Sequence, residues 1–135
     1  MASNLKLLDT SAWILVLRKG GPIALKRRIE DWSRRDLIVT TDPVIIELLQ
    51  GTRSEEEYAR LSAELDSIPS LPVDARIWQR VRRNSFTLAR KGVVTSLSDM
   101  LISSVAIEHT CELVHRDADF KHIASVLPLR QLAFM

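Results

Sequence analysis

The chain has one cysteine, Cys111, among 135 residues, so no internal disulfide can form and no Cys-x-x-Cys pair is available to hold zinc. That scarcity fits a reducing compartment, and a cytoplasmic location is expected. No run approaches the roughly 20 apolar residues of a membrane span. The N-terminus also lacks a charged flank followed by a continuous apolar stretch, so neither secretion nor membrane insertion is expected. Internal repeats and low-complexity linkers are absent. At this length, and with 46 % apolar residues, the chain reads as a single domain over 1–135 with enough material to close a core. Net charge is only +2, so composition alone does not announce a nucleic-acid binder. Acids are missing locally, however: none lies between Ala75 and Ser98, where Arg76, Arg80, Arg82, Arg83, Arg90 and Lys91 are all basic. Such an imbalance can serve as a footprint for phosphates or simply form a solvated helix face.

What is present alternates between short apolar runs and helical patterns. Leu5 to Leu8 suits a buried strand that ends on Asp9, and Ser11 to Leu17 reads as a short helix. Gly20-Gly21-Pro22 breaks it and opens a second helix to about Arg35, basic outside, with Ile23, Ile29 and Trp32 inward. Leu37 to Val39 is a strand, and Thr41-Asp42-Pro43 starts a helix that stops near Gly51. Ser54 and Glu57 have capping-box spacing ahead of an amphipathic helix through Ile68. Leu71-Pro72-Val73 is a brief extended link before Asp74 caps a long helix to about Lys91. Ser96-x-x-Asp99 opens an almost wholly apolar helix to about His109. Glu112 to His115 is a strand, a short helix follows to about Val126, and Leu129 to Phe134 supplies an edge strand. This order predicts a three-layer α/β/α sandwich around a mostly parallel sheet of about four or five strands.

Ligands sit at the carboxyl ends of strands in such a sheet, and acids collect there. Singly, most have a structural explanation: Asp9, Asp117 or Asp119 can cap helices, and Asp99 can complete a capping box. Glu47 is different. It lies past the first turn of its helix in a run otherwise apolar from Val44 to Leu49, where neither capping nor the helix dipole needs it. A buried, unpaired glutamate costs several kcal/mol or takes up a proton. Asp9, Glu47, Asp99 and Asp117 or Asp119 in one pocket would stay ionised only with hard, oxygen-preferring cations such as Mg²⁺ or Mn²⁺. The chemistry such a cation promotes with water is phosphodiester hydrolysis.

Four stretches carry a resemblance: Leu7 to Trp13, Pro43 to Gly51, Ser98 to Ile102 and His115 to Phe120. They resemble the signature segments of PIN-domain ribonucleases, nearest to the VapC-type toxins of bacterial toxin-antitoxin pairs. The resemblance covers nearly the whole chain in the right order. It implies a Mg²⁺- or Mn²⁺-dependent endoribonuclease acting on RNA, with transfer RNA as one candidate substrate, a cognate VapB-type antitoxin, and a homodimer. By the same resemblance Asp9, Glu47 and Asp99 match the family's metal-site acids. Asp117 is favoured as the fourth, with Asp119 as a cap or outer acid. Ser11 matches a hydroxyl beside the site, and it is equally suited to cap the helix.

Arg116, next to the proposed site, suits a scissile phosphate or compensation of the acids. Trp13, Trp32 and Trp78 are expected to pack inward, with Trp13 also a candidate to line an antitoxin groove. His115 and His122 flank the acidic turn, but the other donors are oxygens and favour a hard metal. A phosphoacceptor receiver fails because a single Asp9 is followed by Thr10, and an Asp-x-Asp phosphatase fails because Ser11 takes the second acid's place. The stronger rival is a PIN-fold binding module with little catalysis, whose acidic pocket engages a partner arginine.

Overall fold

The computed structural model describes residues 3–134. Five strands form one parallel sheet in the order β3-β2-β1-β4-β5: β1 (Lys6–Leu8), β2 (Ile38–Thr41), β3 (Ser70–Leu71), β4 (Glu112–His115) and β5 (Gln131–Ala133). Consecutive residues of β1 and β2 are all buried, so both sheet faces are covered, as parallel sheets require. The flanking helices are α1 (Thr10–Leu17), α2 (Ile23–Arg34), α3 (Asp42–Gln50), α4 (Glu55–Asp66), α5 (Ala75–Arg90), α6 (Leu97–Glu108) and α7 (Ala118–Ala124). The chain runs outward from β1 through β2 to β3 and, on the other side, from β4 to β5. Strand order therefore reverses between β1 and β4, and a crevice opens there beyond the strand ends.

The expected α/β sandwich is observed, with three local corrections. The link at Leu71-Pro72-Val73 begins as a real strand: Ser70 and Leu71 pair with Thr40 and Thr41, and the Thr41 hydroxyl donates to the Leu71 carbonyl at 2.8 Å. Two residues leave no period for a sequence pattern to show. The segment 129–134 is strand only at its centre. On α2, Ile23 faces solvent at 67 % exposure and Leu25 is buried in its stead beside Ile29 and Trp32.

Local rules set the helix starts. Asp9, Ser54, Asp74, Ser96 and Asp117 each accept a backbone N–H of the turn they open. Gly21 is required for a steric reason: a Cβ there would lie 2.0 Å from the Leu15 carbonyl oxygen, so only glycine lets the α1–α2 turn close. Helix α6 is buried along most of its length and packs against α5, where Arg76 and Arg80 both pair with Glu108 at 3.2 and 2.9 Å. Two cations of the basic stripe on α5 thus join helices. No helix among the described residues is long and apolar enough to cross a membrane.

Candidate active site

Asp9 leaves β1 at the point where strand order reverses, and its backbone N–H donates to the Val114 carbonyl of β4 at 2.9 Å. The residue is only 4 % exposed. Its carboxylate accepts from the Ser11 backbone N–H at 3.1 Å and from the Ser11 hydroxyl at 2.6 Å, so Asp9 caps α1 while remaining in the crevice. Burial raises its pKa, the two Ser11 hydrogen bonds oppose that rise, and the Glu47 charge adds to it. Ser11 does more than serve the helix. Its oxygen also accepts the Arg116 backbone N–H at 2.9 Å, which ties the first turn of α1 to the loop after β4.

Glu47 reaches the same region from α3. Because β2 passes into α3 without a loop, the second turn of that helix stands beside the strand ends. One oxygen of Glu47, Oε1, accepts from the Thr10 hydroxyl and from the Ser98 hydroxyl, each at 2.9 Å. The buried, unpaired glutamate expected from the sequence is therefore half-buried and held by two donors. Asp99, in the first turn of α6, gives its backbone N–H to the Ser96 hydroxyl at 3.1 Å, and among the described residues its carboxylate makes no return bond. The capping box is half formed, and the acid is left free. Burial, then the charges of Asp9, Asp117, Asp119 and Glu47, push the Asp99 carboxyl up to about 6. The charges of four other acids thus converge on Asp99.

The Asp117 and Asp119 assignments divide differently from the expectation. Asp117 is the cap of α7, accepting from the Asp119 backbone N–H at 3.0 Å, whereas Asp119 does no capping. Both nevertheless enter the cluster: one carboxylate oxygen each from Asp99, Asp117 and Asp119 lie within 4.8 Å of one another. His115 does not contribute a ligand atom. It is fully buried, its Nδ1 accepts the Asp117 N–H at 3.1 Å, and Nε2 therefore carries the proton that it donates to Gln131 at 2.6 Å. Arg116 is exposed and makes no ion pair among the described residues, so it does not neutralise the acids here. An all-oxygen donor set, with three carboxylate oxygens drawn within 4.8 Å of one another, fits a divalent cation.

Two clefts share Glu47 in their walls. The first, about 620 Å³, is lined by Ile14 and Leu17 of α1, Leu48 of α3, Leu61 of α4 and the polar rim of Arg18 and Arg53. The second, about 390 Å³, is almost wholly apolar and is lined by Ile46, Val73, Trp78, Leu97 and Leu101. Of the tryptophans expected to pack inward, Trp13 and Trp32 do so and Trp78 does not. Trp78 is 44 % exposed, and Trp13 packs into the core, leaving Ile14 and Leu17 to line the groove. Sequence reasoning gave no separate role to Thr10 and Ser98. Their only signal was adjacency to Asp9 and Asp99, which caps and turns share.

A parallel sheet with this strand order and acids from the ends of β1 and β4 and from α3 and α6 defines the PIN-domain class. The sequence model of the PIN domain matches residues 6–126, and the chain belongs to that family. It is 35 % identical to VapC ribonuclease Mb1587 of Mycobacterium bovis and to Ribonuclease VapC11 of Mycobacterium tuberculosis, over 95 % of this chain and 98 % of each relative. Within the PIN family it falls among the VapC ribonucleases, the toxins of toxin-antitoxin systems. The fold also matches VapBC2 of Rickettsia felis bound to a promoter DNA fragment, with a TM-score of 0.82 and 20 % identity over 97 % of this chain and 99 % of that one. Mycobacterium tuberculosis VapC20, described as a sarcin-ricin loop cleaving toxin, matches with a TM-score of 0.65 and 19 % identity over 93 % and 98 %.

Proposed function

We propose that this chain, acting as one domain over residues 1–135 in the cytoplasm, cuts RNA internally at phosphodiester bonds with Mg²⁺ or Mn²⁺ held by Asp9, Glu47, Asp99 and Asp117. Asp119 joins as a fifth, outer acid. The convergence of three carboxylate oxygens within 4.8 Å, under the added charge of Asp9 and Glu47, carries this reading. A divalent cation bound there supplies Lewis-acid stabilisation of the charge that develops on the phosphodiester and its leaving oxygen. The chain's own part is positional. Ser11 fixes Asp9 and holds the loop of Arg116, whose guanidinium, in no ion pair among the described residues, is available to clamp a phosphate next to the acids. His115 and Gln131 hold the backbone of Asp117 at the end of β4.

The test is cleavage of a total-RNA or transfer-RNA pool by antitoxin-free protein. Discrete products are expected with Mg²⁺ or Mn²⁺ and none with EDTA. Equal cleavage in EDTA would remove the metal from the reaction.

Partners are assigned to the two clefts. The groove of Ile14, Leu17, Leu48 and Leu61, with arginines at its rim, suits the apolar face of a VapB-type antitoxin segment with acids at its edge. The cleft around Ile46, Trp78 and Leu97 suits a second copy of the chain, because a nearly unpolar surface with an exposed tryptophan is what homodimer cores bury. Leu17→Glu is expected to weaken antitoxin binding with the dimer intact, and Trp78→Glu to yield a monomer that still binds antitoxin. Sedimentation with and without antitoxin reads both. A swap of the two phenotypes would reverse the assignment.

A further inference from the structure

The hydroxyls on Glu47 are arranged in a way that the acid cluster alone does not require. Thr10 follows Asp9 in the chain and Ser98 precedes Asp99. Each of these neighbours reaches across to a third element, and both donate to the same oxygen of Glu47 at 2.9 Å. The last torsion of a glutamate is broad, so an unrestrained carboxylate would present either oxygen in many orientations. Two donors on Oε1 take up its accepting capacity and leave Oε2 without a hydrogen-bond donor among the described residues. Because its two donors adjoin Asp9 and Asp99 in the chain, the Glu47 carboxylate is tied to the segments that carry both acids.

We infer that Thr10 and Ser98 are positioning residues that hold Glu47 with Oε2 presented to the cation and keep three acids, carried on three separate elements, in mutual register. The inference rests on the metal-dependent reading above. Groups that orient a ligand from behind typically change metal affinity by about 10- to 100-fold when removed. Both side chains are half-buried, so their loss empties no part of the core.

The experiment is calorimetric titration of the metal-free protein with Mn²⁺ alone, paired with thermal melting in EDTA. Thr10→Val combined with Ser98→Ala is expected to raise the Mn²⁺ Kd by about 10-fold or more with little change in the EDTA melting temperature. Ser98→Ala alone gives an intermediate value, and the hydroxyl-conserving pair Thr10→Ser and Ser98→Thr returns the Kd close to that of the parent. A lowered melting temperature with an unchanged Kd would make the two hydroxyls structural only and overturn the inference. Failure of the parent itself to bind Mn²⁺ would overturn the metal reading, and this inference with it.

Discussion

Asp99→Asn removes metal-dependent RNA cleavage while the folded protein persists, and in EDTA near pH 7.5 the variant melts above its parent. The two halves of this result have one origin. Asp99 stands where burial and the charges of Asp9, Asp117, Asp119 and Glu47 all resist its ionisation, holding its carboxyl up to about 6. An amide keeps the shape and removes one charge from the cluster. Without metal, that relieves repulsion. With metal, it removes an anionic ligand from a site whose Lewis acidity supplies several kcal/mol of transition-state stabilisation, so a loss of roughly 10³-fold in rate is expected. The cap of α6 survives because it uses the Asp99 backbone N–H and the Ser96 hydroxyl, neither of which changes. The helix dipole favours an acid in this first turn by about 0.3–1 kcal/mol. The rise in melting temperature measures the excess of repulsion over that gain. Cleavage by Asp99→Asn at the parental rate would remove Asp99 from the mechanism.

The metal-free protein is expected to lose stability as pH rises from about 4 to 7, the reverse of ordinary acid denaturation. Asp9 and Asp99 both have pKa values raised in the folded state. At pH values between their unfolded and folded pKa values the native protein binds more protons than the unfolded chain, so unfolding is favoured as pH increases. Their contribution is complete below the unfolded pKa, near 3.8. For Asp99 it is spent once pH has passed about 6. A shift of this size corresponds to about 3 kcal/mol at full burial, and solvent screening of the half-buried carboxyl reduces it to roughly 1–2 kcal/mol. Asp9 adds to it in the same direction. Mn²⁺ at neutral pH replaces the missing protons, so the melting temperature is expected to recover on its addition, and Asp99→Asn should flatten the EDTA profile. Melting curves across pH with EDTA or Mn²⁺ check this. Stability in EDTA that rises steadily from pH 4 to 7 would show that the acids are not in conflict.

Asp9 illustrates why the bland and functional readings of an acid need not compete. It was legible as a cap and as a ligand, and it is a buried cap whose carboxylate remains in the crevice. Asp117 behaves the same way, although the division of labour between Asp117 and Asp119 was not readable, because two acids one residue apart at a strand end obey the same local rules. Glu47 was the most informative single residue in the sequence. An acid inside an apolar helical run has no local explanation, which points to a partner elsewhere in the chain. The sequence could say that a partner existed but not that it was a pair of hydroxyls.

By itself the sequence determined the alternation of strands and helices, their caps and stops, the parallel sheet and the four segments that carry the acids. These follow from patterns and capping chemistry that act over a few residues, and they survive without knowledge of the rest of the chain. Tertiary structure alone decided that the segments meet where strand order reverses between β1 and β4. It also decided that Thr10 and Ser98 share one oxygen of Glu47, that His115 holds a backbone N–H, and that Trp78 and Leu17 face open clefts while Trp13 packs inside. Each of these depends on which side chains from distant elements come within a few ångströms of one another, and no local pattern encodes that distance.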